Sequence, residues 1–136
     1  MAVSQNKVVT PQGLASGQAV CVAAKITYND AVNAVRCFAA GPNGALVFSL
    51  KALPRMTVTA VQLQAYRSKD AGVTLSLIKL IVMGAYTMAA TTAPGDSDFN
   101  FTETAPLRLA ANEEIWVATG VAFATGVQFD LAAENL

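Results

Sequence analysis

The chain has 136 residues, of which 54% are hydrophobic and only 13% charged, and its 9 basic residues balance 9 acidic ones. This length is typical of one domain that buries a core without metal or disulfide staples, whereas an average soluble domain carries roughly 25% charged residues. The basic residues are scattered rather than gathered into the stripe that phosphate contacts need, so we expect no nucleic-acid partner.

The sequence also lacks the features of a membrane or secreted protein. The longest apolar stretch, 75–85, is interrupted by Ser76, Lys79 and Gly84, and it falls short of the roughly 18 to 20 residues that a membrane helix needs. Residues 1–12 lack the basic-then-apolar layout of a signal peptide. We therefore expect a soluble protein that is made in the cytoplasm and has no membrane partner.

Residues 1–18 are predicted to form an extended N-terminal arm. Polar residues fill positions 4–7, Pro11 and Gly13 interrupt regular structure, and the polar run Ser-Gly-Gln at 16–18 follows. A segment of this kind is disordered or becomes ordered only against a neighbour. The chain is thus divided into an arm, 1–18, and one domain, 19–136.

From residue 19 the pattern is typical of short β-strands. Apolar, β-prone segments occupy 19–27, 35–40 and 45–50. Turn residues separate them at 28–30 and, most clearly, in the Gly-Pro-Asn-Gly run at 41–44. These segments predict three strands joined by loops.

A β-hairpin is predicted at 57–82. Apolar and glutamine side chains alternate along 61–65, with the period of two that a half-buried strand shows. A polar turn at 68–72 leads into the second strand, where the apolar phase switches between Leu77 and Ile78. Either a β-bulge or a strand buried on both faces explains this switch.

The C-terminal half continues the strand pattern. Segment 84–94 is ambiguous between one helical turn and a loop, and short apolar segments follow at 99–101 and 106–109. Two further strands are predicted at 115–121 and 127–131. About eight short strands at this spacing predict an all-β fold, a single β-sandwich domain of jelly-roll-like type.

Groups for catalysis or metal binding are scarce. The chain has no histidine, which removes the commonest general base and the commonest metal ligand. Cys21 and Cys37 lie among apolar residues, as small buried side chains do; a disulfide between them remains open, but two cysteines alone do not build a structural zinc site.

The acidic pairs are also weak candidates for chemistry. Glu113 and Glu114 are adjacent, so on a strand they point to opposite faces, and we expect them to form a solvated turn. Asp96 and Asp98 have the spacing of the start of a calcium loop, but the glycine and the glutamate of such a loop are missing. We therefore expect no enzyme activity, no cofactor and no bound metal.

The aromatic residues leave three interpretations open. Trp116, the one tryptophan, lies in an apolar strand and is opposite in phase to its neighbours. It belongs to the core, to a protein interface, or to a sugar-binding platform together with Tyr28, Tyr66 and Tyr86.

Several stretches together resemble small structural proteins encoded in tailed-bacteriophage and prophage gene clusters. The resemblance covers most of the chain and involves scaffold patterns rather than a catalytic signature. The stretches are AVSQNKVVTPQ at 2–12, LPRMTVTAVQLQ at 53–64, KDAG at 69–72, AYTMA at 85–89 and PLRLAANEEIWV at 106–117.

Within that setting, a small jelly-roll-like domain with an arm resembles a head decoration, or cement, protein. The resemblance implies a virion protein on the capsid surface, a homotrimer whose arms clamp the major capsid protein and stabilise the lattice. The candidate interface residues are Val3, Gln5, Val8, Val9, Pro11 and Trp116. Low charge agrees with this role, because it limits the cost of desolvating an interface.

Two alternatives stay open at this point. The first keeps the phage particle but places the chain in the tail, as a tube, fibre or tip component. The second is a carbohydrate-binding jelly-roll module, which requires exposed aromatic side chains on one face.

Overall fold

The computed structural model describes residues 13–95 and 97–136, and these residues contain nine β-strands and no helix. The prediction of an all-β fold is confirmed. No helix that is long and apolar enough to cross a membrane occurs in these two ranges. The strands are β1 (Gly13–Cys21), β2 (Val35–Ala39), β3 (Ala45–Pro54), β4 (Val61–Ser68), β5 (Ser76–Met83), β6 (Ser97–Asp98), β7 (Leu107–Leu109), β8 (Glu114–Thr119) and β9 (Val127–Asn135).

The strands form two antiparallel sheets. Sheet A has the order β1-β9-β3-β6, with β7 also paired to β3, and sheet B has the order β2-β8-β4-β5. Strands from the two halves of the chain pair with each other in reverse order: β1 with β9, β2 with β8, β3 with β6 and β7, and β4 with β5. This pairing is that of a long folded ribbon rolled into a sandwich, which is the jelly-roll order.

The hydrophobic core lies between the two sheets. Phe129 and Leu131 of sheet A, and Leu63 and Val117 of sheet B, are fully buried there. The ring of Phe99 packs against that of Phe129, with the ring centroids 6.3 Å apart. Burial of such apolar side chains is the main favourable contribution to folding.

A β-bulge in β5 decides which of its side chains face outward. Ala65 pairs with Lys79 and Tyr66 pairs with Leu77, so Ile78 is the extra residue. The phase switch in the sequence therefore has the first of its two predicted explanations, a bulge. Because directly paired residues share a face of the sheet, Leu77 lies on the same outer face as Tyr66.

The sandwich begins earlier than the sequence predicted. β1 starts at Gly13 and pairs with β9 along its whole length, so residues 13–18 belong to sheet A and the predicted end of the arm at residue 18 is corrected. The polar residues here do not end the strand, because the exposed side chains of Ser16 and Gln18 point away from the core. Gly17 lets β1 approach β2, since a Cβ on it would lie 2.0 Å from the Cys37 carbonyl oxygen. Residues 1–12 lie outside the described residues.

Other boundaries also shift. The strand predicted at 19–27 ends at Cys21, and residues 22–34 form a loop. The first strand of the hairpin starts at Val61 rather than at residue 57. The ambiguous segment 84–94 forms no helical turn; instead, Tyr86 exchanges two backbone hydrogen bonds of 2.9 Å with Val58.

Replacing Gly17 with alanine tests the close approach of β1 and β2. The new Cβ would overlap the Cys37 carbonyl oxygen, so we expect Gly17→Ala to lower the free energy of unfolding by about 1–3 kcal/mol, as overpacking typically does. Gly13→Ala is the matched control, because it lies in the same strand with nothing within 4 Å of the added Cβ. Equal urea-unfolding midpoints for the two variants would contradict this account.

Candidate protein interface on sheet B

The outer face of sheet A carries charged residues beside the exposed apolar side chains of Leu14 and Leu53. Lys51 of β3 lies between Asp98 of β6 and Asp130 of β9 in register, and two rows along the same face Leu46 lies between Arg108 of β7 and Glu134 of β9. Opposite charges on neighbouring strands of one face are favourable and remain hydrated. This face has the character of a solvent-exposed surface.

The outer face of sheet B is partly covered by the loop 22–34. The Lys25 backbone N–H donates to the Thr119 carbonyl oxygen at 2.9 Å, and the Leu75 N–H donates to the Asn29 carbonyl oxygen at 3.4 Å. The Tyr28 hydroxyl donates to Gln62 Oε1 at 2.9 Å. The loop thus crosses β8 and β4. It helps to bury a second, smaller apolar cluster outside the sheet: Tyr66, Leu75 and Ala118, with Ala31, Ala34 and Trp116 packed against them.

The side chain of Lys25 holds this loop from beneath and is fully buried. Its Nζ donates to Asp30 Oδ1 at 2.8 Å, to Thr27 Oγ1 at 3.2 Å and to the Val32 carbonyl oxygen at 2.9 Å. It also lies 5.6 Å from the centroid of the Tyr66 ring. A buried ammonium group is costly unless all its protons find acceptors, so these contacts favour one conformation of the loop.

Buried polar groups of β4 extend the network below the loop. Gln64 Nε2 donates to the Lys25 carbonyl oxygen at 3.1 Å, and the Tyr66 hydroxyl donates to Gln64 Oε1. Burial raises the pKa of Tyr66 to about 12. The hydroxyl therefore stays protonated and able to donate across the physiological pH range.

Beside the loop, the outer face of β5 exposes a row of three apolar side chains, the β5 strip. Leu77, Leu80 and Val82 pair with Tyr66, Gln64 and Gln62 in turn, which places all three on the outer face. Their exposed fractions are 41%, 40% and 72%. The strip is the edge of sheet B and carries no charge.

Lys79, the one charged residue of β5, points away from the strip. It pairs with the core-facing Ala65. Its Nζ donates to the Phe99 carbonyl oxygen at 2.6 Å and lies 5.7 Å from the centroid of the Phe101 ring. The positive charge is therefore held at the gap between the two sheets.

Trp116, a predicted interface residue, is half-buried at the other side of this face. Its ring lies against Gly72, where an added Cβ would be 2.4 Å from a ring carbon. Its Nε1 donates to Glu114 Oε1 at 3.0 Å. It belongs to the small cluster under the loop rather than to the β5 strip, and its contact with a partner stays a prediction.

The other five predicted interface residues have no place in the described structure. They all fall in the segment 1–12 of the predicted arm. They are Val3, Gln5, Val8, Val9 and Pro11.

The predicted solvated turn at Glu113 and Glu114 is wrong. The two side chains do point apart, but both are buried and paired with arginines. Glu113 Oε2 lies 3.3 Å from Arg67 Nε, and Glu114 Oε2 lies 3.1 Å from Arg36 Nη1. Both partners are distant in sequence, so the local pattern carried no signal for these ion pairs.

The remaining residues considered for catalysis or metal binding are the two cysteines and the pair Asp96 and Asp98. Cys21 and Cys37 are free and buried, and burial raises the pKa of each thiol to about 12. Asp98 Oδ1 accepts a hydrogen bond from the Asn100 N–H at 2.8 Å, whereas Asp96 lies outside the described residues. Among residues 13–95 and 97–136, no group of three or more His, Cys, Asp or Glu is placed to hold a metal ion.

The four aromatic residues considered for sugar binding do not form a shared exposed platform. Tyr28 is exposed, but Tyr66 is fully buried. Tyr86 is half-buried, and its hydroxyl is bonded to Thr92 in the loop after β5.

Comparison of the chain with protein-family models, with curated proteins and with solved structures finds no match. The jelly-roll order does not assign a function either, because the same architecture serves capsid, lectin and other domains.

The ion pair between Lys25 and Asp30 makes the stability of the folded state depend on pH in the acidic range. The hydrogen bond from Lys25 is the largest cause that lowers the pKa of Asp30 below its ordinary value of 3.8. The carboxylate of Asp30 thus binds a proton less readily in the folded state than in the unfolded chain. The stabilisation by the pair is fully present above pH 3.8 and is lost as the pH falls through the lower, folded pKa.

We expect Asp30→Asn to lower the melting temperature at pH 7, because the buried Nζ of Lys25 loses its anionic partner. The difference in melting temperature between the variant and the wild type should disappear as the pH falls through the pKa of Asp30 in the folded state. Trp116 fluorescence reports melting of the covered cluster directly. In a Lys25→Met background, the effect of Asp30→Asn on the melting temperature should no longer depend on pH. In the wild-type background, a difference in melting temperature that stays constant with pH would contradict the account.

Proposed function

We propose that this chain is a non-enzymatic structural protein of a bacteriophage particle, a decoration protein that binds the outside of the head and stabilises the capsid lattice. The observation that carries the proposal is the charge-free β5 strip of Leu77, Leu80 and Val82, which adds to the exposed apolar side chains Ile26 and Val32 of the loop 22–34. Contiguous exposed apolar residues mark protein contact sites. The sequence resemblance to phage structural proteins supplies the setting.

The hydrogen bonds that tie the loop 22–34 to sheet B support this role. The loop 22–34 is tied to sheet B by Lys25 and Tyr28, so its exposed side chains Ile26 and Val32 are presented in a fixed position. Little conformational freedom is then lost when a partner binds. Such a surface suits a protein that acts by shape and packing rather than by chemistry.

The proposed partner is the major capsid protein, and the proposed contact is the segment that precedes β1. β1, which residues 1–12 precede in the sequence, is an edge strand of sheet A. An extended segment there can add to capsid strands through main-chain hydrogen bonds. Many such contacts across a lattice, each weak by itself, give a large avidity.

Removing residues 2–12 tests this proposal. We expect the truncated protein to keep its circular dichroism spectrum and melting temperature, because the sandwich starts at Gly13. We expect it to lose co-sedimentation with undecorated heads assembled from the major capsid protein of the same phage. A control with residues 2–12 replaced by a glycine-serine segment of equal length separates the arm's side chains from its length.

Two different negative results test the role of the arm and the decoration function separately. Truncated protein that still saturates the heads would overturn the role of the arm. Full-length protein that does not bind undecorated heads at all would overturn the decoration function itself.

A further inference from the structure

A cavity of about 260 Å³ lies on the side of the sandwich where β5 and β6 are the edge strands of the two sheets. Sheet A contributes Pro54 at the end of β3 and Ser97 of β6, and sheet B contributes the end of β5. The residues that follow β5, up to Tyr86, and the loop 93–95 complete the lining. The cavity therefore opens between the margins of the two sheets.

Contacts outside the cavity hold its walls in place. The main chain of Tyr86 exchanges two hydrogen bonds of 2.9 Å with Val58. The Tyr86 hydroxyl donates to the Thr92 carbonyl oxygen at 3.0 Å and lies 2.9 Å from Thr92 Oγ1. On the opposite wall, Ser97 is paired with Ala52 of β3. The cavity is thus formed in the absence of a ligand, as small-molecule sites usually are.

The hydroxyl group of Ser97 is the first feature that points to a ligand. Ser97 is only 8% exposed and lines the cavity, yet its Oγ makes no hydrogen bond to another residue of the ranges 13–95 and 97–136. Buried hydroxyl groups are usually hydrogen-bonded, because burial removes their contact with bulk water. A polar group of a molecule in the cavity would be within reach of this Oγ.

Main-chain groups add further positions for hydrogen bonds. Gly84, Ala85, Ala93 and Gly95 line the cavity, and within the part of the chain that the structure describes none of them makes a main-chain hydrogen bond. They offer N–H donors and carbonyl acceptors together, whereas no described charged side chain lines the cavity. Such a lining suits a neutral ligand with several groups that both donate and accept.

The size of the cavity and its apolar walls limit the ligand further. Sites for drug-sized molecules have roughly 300–1,000 Å³, so this smaller cavity suits a single ring. Pro54, Val82 and Met83 present aliphatic groups, which pack against C–H groups. A hydroxylated ring has C–H groups on its faces and hydroxyl groups around them. An added peptide strand fits less well, because the bulge at Ile78 and the inward charge of Lys79 protect the edge of β5.

We propose that the cavity between β5 and β6 binds one neutral hydroxylated ring of the size of a monosaccharide unit. Ser97 Oγ and the main-chain groups of 84–85 and 93–95 supply its hydrogen bonds, and the aliphatic walls contact its C–H faces. This site needs no shared platform of aromatic side chains. It goes beyond the proposed decoration function and does not depend on it.

Titration of the isotope-labelled full-length protein with a panel of methyl glycosides, followed by amide NMR, tests the site. We expect at least one glycoside to shift the amide signals of 83–86 and of Ser97, with a dissociation constant of roughly 1 mM, as for a ligand of about a dozen non-hydrogen atoms. Ser97→Ala should weaken binding by about 3- to 10-fold, because one hydrogen bond is lost. Ser16→Ala, on the exposed outer face of sheet A, is the matched control and should leave binding unchanged.

A second variant fills the cavity. A Cβ added to Gly84 would have nothing within 4 Å, and the backbone there is outside the left-handed region. Gly84→Leu should therefore abolish the shifts and keep the wild-type melting temperature, whereas Gly13→Leu, which also adds a side chain in open space, should change neither.

Three results would each overturn the proposal. The first is the absence of shifts with every glycoside at concentrations well above the expected dissociation constant. The second is binding that neither Ser97→Ala nor Gly84→Leu weakens. The third is a shift of the same amide signals by N-acetylproline amide, a neutral peptide probe, but by none of the glycosides.

Discussion

The buried ammonium group of Lys25 is the interaction on which the outer surface of sheet B depends. It has acceptors only because residues 27–32 turn back over it and present Asp30, Thr27 and the Val32 carbonyl oxygen. In return, the loop covers Tyr66 and Ala118, which otherwise would lie on an open sheet face. The charge and the covering loop therefore stabilise one another, and neither arrangement is favourable alone.

This covering divides the sandwich into two unlike exteriors. Sheet A faces outward with charged residues beside the exposed Leu14 and Leu53, whereas sheet B is covered over β8 and β4 and left apolar along β5. A jelly roll gives both sheets a core-facing side but does not specify their outer sides. The difference between these outer sides is the feature that the proposed function draws on.

The approximate positions of most strands were predictable from local alternation, and so was the phase switch at Ile78, for which a bulge was one of two explanations. The burial of Lys25 was not predictable, because its neighbours are apolar and its segment has the pattern of a strand that ends, in fact, at Cys21. The pairing of Glu113 with Arg67 was equally hidden, since it forms between distant segments. Long-range polar contacts of this kind depend on the tertiary fold, so composition and periodicity do not reveal them.

The pairing of β1 with β9 has a mechanical consequence. Nine residues of each strand face one another, from Gly13 opposite Asn135 to Cys21 opposite Val127. A pull applied ahead of Gly13, with the body of the sandwich held, acts along the axis of β1. The hydrogen bonds of the ladder are perpendicular to that axis, so they are loaded in shear and resist together instead of opening one after another. Tension entering through this end of the domain is thus shared along the whole length of its first strand.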